Sequence, residues 1–279
     1  MVLLCYGIYL TELLLKEKVK TFHLLLIALY LAVALTGCSH YNLNRDVIFQ
    51  TSTINALLEG IYDGDVTFDR LKKYGDFGIG TFNNLDGEML ELEGNVYQMR
   101  VDGKAYRVPD SMKTPFAVVT FFEADKRVIL NKKVDYKGLN EFLDGVTPSK
   151  NIFYAVKIDG TFSYIKARSV PSQKKPYPKL VDAVKKQAIV EFRNVKGTLA
   201  GFYLPEYMKG INVTGYHFHF ITKDRTAGGH TLACQVEDAT VAIDYTNGFY
   251  MVLPEGEGFF RVDLGKEKQR ELEEVEYAK

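Results

Sequence analysis

Three histidines lie within fourteen residues of one another, at His217, His219 and His230. Successive side chains of a β-strand point to opposite faces, so in a strand over residues 213–222 the first two would project from the same face, about 7 Å apart. The Asp, Thr and Gly residues between 223 and 229 favour a turn, which would return His230 on an adjacent antiparallel strand opposite His219. The spacing therefore predicts three converging imidazoles, the ligand set of a divalent metal with open coordination positions, such as a catalytic zinc.

The alternative is that these histidines are buried for packing alone, as a lone histidine on an apolar face usually is. The chain has five histidines, however, and three of them fall in this segment. Scattered core histidines would not favour such clustering. A pair spaced by two residues, with a third across a glycine-containing turn, therefore favours the metal site.

The overall composition is that of a folded protein without a strongly charged surface. Of the 279 residues, 47% are hydrophobic and 13% aromatic, enough for one large domain or two small ones. The 35 Lys and Arg residues balance the 35 Asp and Glu residues, so no strong field would recruit nucleic acid. The sequence contains no glycine-rich phosphate-binding loop of the Walker or Rossmann kind. Nucleic-acid-binding and nucleotide-binding functions are therefore not expected.

The amino-terminal segment is typical of a bacterial lipoprotein. Three lysines between residues 16 and 20 precede an apolar run over 22–35, which is too short for a comfortable transmembrane helix. The run ends in Leu35-Thr36-Gly37-Cys38, which resembles a lipobox. We therefore expect a signal peptide over 1–37 and a lipid on Cys38 that anchors the exported protein to the outer face of the cell membrane. The alternatives are an uncleaved membrane anchor, or a cytoplasmic protein if this segment is not functional.

Residue patterns along the rest of the chain predict an α+β fold. Apolar residues at helical spacing predict helices over 52–62, 136–143 and 176–186. Apolar and β-branched runs predict strands, with Asp-Gly hairpin turns at 102–103 and 159–160. Each half has helices early and strands after them, so we expect two similar halves of mostly antiparallel or mixed β-sheet with helices packed on them. The predicted divisions are a signal peptide over 1–37, a tether over 38–49, an amino-terminal half over 50–150 and a carboxyl-terminal half over 151–279 that carries the metal site.

Five blocks of sequence together form a pattern that is more specific than any single motif. They are Gly75-Asp76-Phe77-Gly78-Ile79-Gly80-Thr81, Leu85-Asp86-Gly87-Glu88, Thr114-Pro115-Phe116-Ala117, Gly197-Thr198-Leu199-Ala200-Gly201-Phe202 and the histidine segment. In this order they resemble the α-acetolactate decarboxylase family, and the resemblance extends over essentially the whole chain after Cys38. It implies a duplicated α+β fold, a single Zn²⁺ and usually a homodimer. The implied reaction is that of a carboxy-lyase, in which (S)-2-acetolactate loses CO2 to give (R)-acetoin.

The resemblance also implies roles for individual residues. The three histidines would bind the zinc as neutral imidazoles. Glu88 matches a functional glutamate that would handle the proton, and Arg168 matches an arginine whose planar fork would hold the carboxylate of the substrate. Thr81 is a candidate for a hydrogen bond to the substrate. Without the resemblance, Glu88 would be taken for an exposed hairpin carboxylate and Arg168 for a surface cation.

A second catalytic glutamate of the family lies in the carboxyl-terminal tail. Judged by its distance along the chain from the histidines, Glu276 is the residue that corresponds to it. The tail also contains Glu271, Glu273 and Glu274, so a neighbouring glutamate is an alternative. The other alternative is a charged, frayed helix over 266–279 with no role in the site.

Two further functions fit parts of the pattern. A cupin-like metal-dependent oxygenase or isomerase also has a His-x-His pair followed by a later histidine. Cupins normally place a glutamate a few residues after the pair, whereas His219 is followed by Phe220-Ile221-Thr222-Lys223. The third possibility is a lipid-anchored module that binds metal without catalysis. Such a module would fill every coordination position of the metal with protein atoms.

Overall fold

Two β-sheets make up most of the fold in the computed structural model, which describes residues 45–276 together with Lys20 and His23. The first sheet contains β1 (Val47–Thr51), β3 (Phe77–Thr81), β4 (Glu88–Leu92), β5 (Asn95–Met99), β6 (Ala105–Arg107), β8 (Ala117–Thr120) and β15 (Gly248–Val252). Their spatial order is β15-β1-β8-β3-β4-β5-β6, and all neighbours are antiparallel except β1 and β15. Strands β2 (Val66–Thr67) and β7 (Lys113–Thr114) form a small separate pair.

The second sheet is built on three long strands and closes on itself. It contains β9 (Lys126–Leu130), β10 (Val134–Asp135), β11 (Phe153–Ser169), β12 (Ala188–Leu204), β13 (Gly215–Thr222) and β14 (Gly228–Thr246). Strand β11 pairs with both β12 and β14, and β13 pairs with the same two strands. These four strands therefore form a closed ring. Its last closing pairs, between β13 and β14, include His219 opposite His230.

The helices are short and lie around the two sheets. They are α1 (Ile54–Leu58), α2 (Phe68–Leu71), α3 (Tyr136–Val146), α4 (Leu180–Ala183), α5 (Glu257–Arg261) and α6 (Gln269–Glu276), with 3-10 turns at Asn83–Leu85, Val184–Lys186 and Glu206–Met208. The helices predicted over 52–62 and 176–186 are present but shorter. Thr53 caps α1 by accepting a hydrogen bond from the backbone N–H of Ala56 at 3.2 Å. The predicted α+β fold class is confirmed.

The two faces of β13 belong to different parts of the core. Tyr216, Phe218 and Phe220 pack in the apolar cluster of the closed sheet. Ile221, on the opposite face, packs in a second cluster that also holds residues of the first sheet, α1, α4 and α6. The histidines share this second face because side chains alternate along a strand. The hydrophobic pattern of β13 therefore turns the histidines towards the region between the two sheets.

One predicted hairpin is wrong. Residues 159–160 do not form a turn, because β11 runs through them without a break from Phe153 to Ser169. Gly160 pairs with Gly197 on one side and with Ala239 on the other. A Cβ atom on Gly160 would lie 2.3 Å from the carbonyl oxygen of Asp238. Glycine is therefore required here by the close approach of another strand, next to register irregularities that begin at residue 161.

The chain divides between the two sheets at positions that differ from the predicted boundaries. Strands β9 and β10, placed by the sequence in the amino-terminal half, pair with β14 of the second sheet. Strand β15, placed in the carboxyl-terminal half, joins the edge of the first sheet beside β1. The predicted tether over 38–49 is wrong for its last three residues, since β1 begins at Val47 and the apolar side chains of Ile48 and Phe49 are fully buried.

Several predictions for the amino terminus concern residues outside the described part of the chain. These are the signal peptide over 1–37, the lipid on Cys38 and the tether as far as residue 44. The described residues 45–276 belong to one compact unit. Among the described helices, none is long and apolar enough to cross a lipid bilayer.

Candidate active site

Three adjacent strands place a histidine pair and an arginine in one row. His219 on β13 is the direct cross-strand partner of His230 on β14, which in turn is the partner of Arg168 on β11. Directly opposed residues of antiparallel strands point to the same face. His217 joins them from two positions along β13. The predicted return of His230 opposite His219 is therefore observed, and the register adds Arg168 to the same surface.

The three imidazoles converge on one point. One ring nitrogen of each of His217, His219 and His230 lies within 4.8 Å of the other two. The Nε2 atom of His217 is 3.0 Å from the Nδ1 atom of His230. Two nitrogens bound to one ion at about 2.0–2.1 Å are about 2.9–3.4 Å apart for angles of roughly 90–110° at the ion. The spacing of this pair therefore fits two ligands of a single metal.

The protonation of the histidines also fits a metal site. Burial, together with the charge of nearby Arg168, lowers the pKa of His217 to about 3. Burial likewise holds the pKa values of His219 and His230 well below their usual range. All three rings are therefore neutral at physiological pH, which is the form of histidine that binds metals. The residues present fit a divalent metal ion.

One backbone carbonyl sets the tautomer of His219. The Nδ1 atom of this ring lies 2.8 Å from the carbonyl oxygen of Met89 on β4. A carbonyl can only accept a hydrogen bond, so Nδ1 carries the proton and Nε2 presents a lone pair. Buried partners of this kind orient the histidine ligands of metal sites. Sequence patterns gave no sign of this contact, because a backbone carbonyl leaves no mark on residue type.

Glu88 begins β4 and is buried, so the alternative of an exposed hairpin carboxylate is wrong. The preceding Gly87 has a φ of +84°, a conformation that favours glycine, and its N–H donates to the carbonyl of Val170 at 3.0 Å. The carboxyl oxygens of Glu88 lie 3.8 Å from His219 Nε2 and 3.9 Å from Arg168 Nε. Burial raises the pKa of Glu88 to about 7, against the opposing effect of Arg168 and with a further contribution from Glu276.

Arg168 is 4% exposed, so it is not a surface cation. Its Nη1 atom donates to the carbonyl of Val275 at 2.6 Å and to the side-chain oxygen of Gln187 at 3.4 Å. The Nε atom, which is also buried, has no hydrogen-bond partner among residues 45–276. The edge formed by Nε and Nη2 is thus the free donor edge of the guanidinium group.

Glu276 is the last described residue of the chain, and it reaches the same site. One carboxyl oxygen lies 3.5 Å from His230 Nε2 and 3.7 Å from His217 Nε2, and the other lies 3.7 Å from Arg168 Nη2. Burial raises its pKa, against the lowering effect of Arg168. Within the described part of the tail, Gln269–Glu276 form a helix. Of the four tail glutamates considered, Glu276 is the one that contacts the histidines.

These polar groups line a small cavity with an apolar wall. Its volume is about 40 Å³. Thr81 lies in the lining, and its hydroxyl donates to the carbonyl of Gly87 at 2.7 Å, so the oxygen is left to accept a hydrogen bond. Asn212, which the sequence did not single out, also lines the cavity and bonds Gln50 at 2.6 Å. The apolar wall consists of Ile54, Leu57, Ile79, Leu85, Phe116, Val118, Val170 and Leu180. A second cavity, of about 290 Å³, reaches His217, His230 and Glu276 beside α3.

Comparison with known proteins identifies the family. The family model described as Alpha-acetolactate decarboxylase matches residues 48–266 of the chain. The chain belongs to this family. Membership makes it an enzyme, a carboxy-lyase, and it favours the decarboxylase hypothesis over the cupin-like one and over a module without catalysis. Glu276 lies beyond the matched segment, so its position in the site is a finding of the structure.

Individual relatives agree with the family match. An alpha-acetolactate decarboxylase of Methanosarcina mazei is 55% identical over 231 residues, which cover 83% of this chain and 80% of the relative. One from Methylococcus capsulatus is 47% identical over 229 residues, covering 82% of this chain and 88% of the relative. The crystal structure of alpha-acetolactate decarboxylase from Bacillus subtilis strain 168 is similar with a TM-score of 0.80 and 41% identity, over 83% of this chain and 99% of that chain.

Proposed function

We propose that the protein converts (S)-2-acetolactate to (R)-acetoin and CO2 at the site formed by the three histidines, Glu88, Arg168 and Glu276. One observation carries the proposal. In a chain of this family, three neutral imidazoles, two buried carboxyl groups and a buried guanidinium with a free donor edge meet in a single cavity.

The reaction needs an electron acceptor, a group that binds the carboxylate, and a proton donor. The bond between the carboxylate and the adjacent carbon breaks, its electron pair moves towards the neighbouring ketone, CO2 leaves, and the carbon takes up one proton. A Zn²⁺ held by His217, His219 and His230 would act as a Lewis acid for the ketone and hydroxyl oxygens of the substrate. The remaining steps fall to the side chains of the chain itself.

Arg168 is suited to hold the carboxylate that will be lost. Its Nη1 atom is fixed by the carbonyl of Val275, which leaves the Nε and Nη2 edge to face the cavity. That edge presents two parallel N–H donors, the geometry that a carboxylate accepts in a bidentate manner. Because the guanidinium is held from the opposite side, binding the substrate requires little reorientation of the side chain.

Glu88 and Glu276 are suited to move protons. They flank the free edge of Arg168, at 3.9 and 3.7 Å from its nitrogens. We assign protonation of the new carbon centre to Glu88 and proton exchange with the substrate hydroxyl to Glu276, which is the carboxyl beside His217 and His230. Protonation from one fixed carboxyl group reaches only one face of the carbon, as a single enantiomer of the product requires. The oxygen of Thr81 would accept a hydrogen bond from the substrate.

The direct test is turnover by the purified protein. Incubation with acetolactate is expected to release CO2 and acetoin in equal amounts, and chiral chromatography is expected to show (R)-acetoin. Removal of metal with a chelator should abolish the reaction, and Zn²⁺ should restore it. Unchanged turnover by a His217→Ala, His219→Ala double variant would refute the metal role.

We also propose that the mature enzyme is a lipid-anchored homodimer at the outer face of the cell membrane. The lipobox-like Leu35-Thr36-Gly37-Cys38 supports the anchor, and the resemblance to the family supports the dimer. Labelling of growing cells with a fatty acid should mark the wild-type protein and not a Cys38→Ala variant. Sedimentation of the detergent-solubilised protein should give twice the chain mass.

A further inference from the structure

The carboxyl group of Glu276 depends on how the carboxyl-terminal tail is held. Helix α6 is the last described element, and Glu276 is its last residue. The helix rests on α4, and its Leu272 and Val275 are buried in the apolar cluster between the sheets. The carbonyl of Val275 accepts the hydrogen bond from Arg168. The carboxyl-terminal end of α6 thus enters the site, and its amino-terminal end must be fixed somewhere else.

The amino-terminal end of α6 is fixed by a buried lysine. Lys268, the residue before α6, is 6% exposed, and its Nζ atom donates to a carboxyl oxygen of Glu59. The backbone N–H of Leu272 in turn bonds the carbonyl of Lys268 at 2.9 Å. Lysine is rarely so deeply buried unless its charge is paired. The contact therefore secures the first turn of the tail to a fixed point of the fold.

That fixed point lies at the end of a helix that lines the cavity. Glu59 follows α1 directly, and the N–H of Glu59 bonds the carbonyl of Asn55 inside that helix. Ile54 and Leu57 of the same helix line the cavity. The contact with Glu59 therefore joins the tail to a helix that lines the substrate site.

We propose that Lys268 is a positioning residue, which through its contact with Glu59 fixes α6 so that Glu276 reaches His217 and His230. The inference rests on the proposed function, because it assumes that Glu276 takes part in the reaction. Lys268 is not among the described residues that line the cavity, so it acts through the helix. The tail is held at its start by the contact of Lys268 with Glu59, in the core by Leu272 and Val275, and at its end by the hydrogen bond from Arg168 to the Val275 carbonyl.

The chain offers a matched control for this contact. Lys179 also bonds the same oxygen of Glu59, at 2.9 Å, but its side chain is 47% exposed against 4% for Lys268, and it lies outside the tail. A Lys268→Met variant keeps the apolar stem and leaves Glu59 paired with Lys179. Its effect would therefore come from release of the tail and not from a carboxylate left without a partner. The control is Lys179→Met, which removes an equal charge from the same partner.

The first measurement is hydrogen exchange in the full-length protein without substrate. Lys268→Met is expected to raise the exchange rates of amides in residues 269–276 by about tenfold or more, while the strands keep wild-type rates. Glu59→Gln, which weakens the same contact from the other side, should have the same effect. Lys179→Met should leave the tail unchanged. Unchanged exchange in both Lys268→Met and Glu59→Gln would overturn the proposal.

The second measurement is turnover of acetolactate. Displacement of a catalytic group by about 1 Å costs up to about a hundredfold in rate, so Lys268→Met should lower kcat by about tenfold or more with an unchanged metal content. Combined with Glu276→Gln, it should cause no further loss, because both changes act through one carboxyl group. A mobile tail with wild-type kcat, or fully multiplicative losses, would overturn the positioning role. If Glu276→Gln alone were fully active, the proposed role of Glu276 would fail, and the exchange rates would still decide whether Lys268 holds the tail.

Discussion

The Nδ1 atom of His219 and the backbone carbonyl of Met89 are joined by a hydrogen bond of 2.8 Å that connects the two sheets at the site. Met89 follows Glu88 on β4, and His219 on β13 is the cross-strand partner of His230 on β14. The contact sets the tautomer of a candidate metal ligand and, at the same time, joins it to the strand that carries the proposed proton donor. One hydrogen bond between main chain and side chain therefore links the histidine cluster to the strand that carries Glu88.

A Glu88→Gln substitution should separate catalysis from metal binding. The amide keeps the shape of the side chain but cannot deliver a proton, so kcat is expected to fall by about 10²–10⁴-fold. The metal content should stay at the wild-type level, because the three imidazoles provide the ligands. Steady-state kinetics and metal analysis of the same preparation test both statements. The control is Glu93→Gln, on the exposed turn that follows the same strand. Loss of the metal together with activity would contradict the separate roles.

An Arg168→Lys substitution should show that substrate binding needs the planar guanidinium group of Arg168 and not only its positive charge. Lysine can replace the positive charge but cannot bond the Val275 carbonyl and still offer two parallel donors to a substrate carboxylate. We expect KM to rise by about tenfold or more, and kcat to fall as well, because Glu276 loses its neighbour. Arg193→Lys, in an exposed ion pair with Glu191, is the comparison. Wild-type KM in Arg168→Lys would contradict the proposed clamp.

The convergence of the histidines could be predicted from sequence because it depends on two local rules. Side chains alternate along β13, and a turn of ordinary composition precedes β14. These two features alone bring His217, His219 and His230 together, without reference to the rest of the fold. The place of Arg168 could not be derived in this way. It depends on the register of β11 against β14, which is set by contacts more than sixty residues apart in sequence.

The errors have a common physical origin in long-range pairing. The Asp-Gly pair at 159–160 has the composition of a tight turn, yet β14 approaches Gly160 so closely that glycine is needed inside a continuous strand. Strand β15 likewise pairs with β1 in the first sheet, about two hundred residues away along the chain. The strands that pair with β11 and with β15 cannot be identified from the local sequence. Resemblance to a family supplied Glu88 and Glu276, whose contacts no spacing rule would predict.

Ionisation of Glu91 is expected to lower the free energy of unfolding as the pH rises. Its side chain is fully buried, and neither carboxyl oxygen has a hydrogen-bond partner within the described residues. Burial raises the pKa of Glu91 to about 8, although Lys72 opposes this, while Asp76 and Asp110 add to it. Because the folded pKa lies above the unfolded value, the folded state holds the proton more tightly. The stabilisation is complete below about pH 4.5 and is lost as the pH rises through about 8.

The measurement is denaturant unfolding of the wild type and of Glu91→Gln between pH 5 and 9. The amide cannot ionise, so the variant should gain stability over the wild type as the pH rises, by on the order of 3 kcal/mol at the upper end. Taking the difference at each pH removes the contributions of all other titrating groups. A difference that stays constant with pH would show that Glu91 ionises in the folded protein as it does in the unfolded chain.

A Thr246→Val substitution should stabilise the protein. Thr246 on β14 is completely buried, and its hydroxyl has no hydrogen-bond partner in the described part of the chain. An unpaired buried hydroxyl costs about 1–3 kcal/mol, which valine avoids at nearly the same volume. We expect the free energy of unfolding to rise by about 1 kcal/mol. Thr120 is equally buried, but its hydroxyl donates to the carbonyl of Val47 at 3.1 Å. Thr120→Val should therefore destabilise the protein by a similar amount, and opposite shifts of the two unfolding midpoints would attribute the effect to the hydrogen bond.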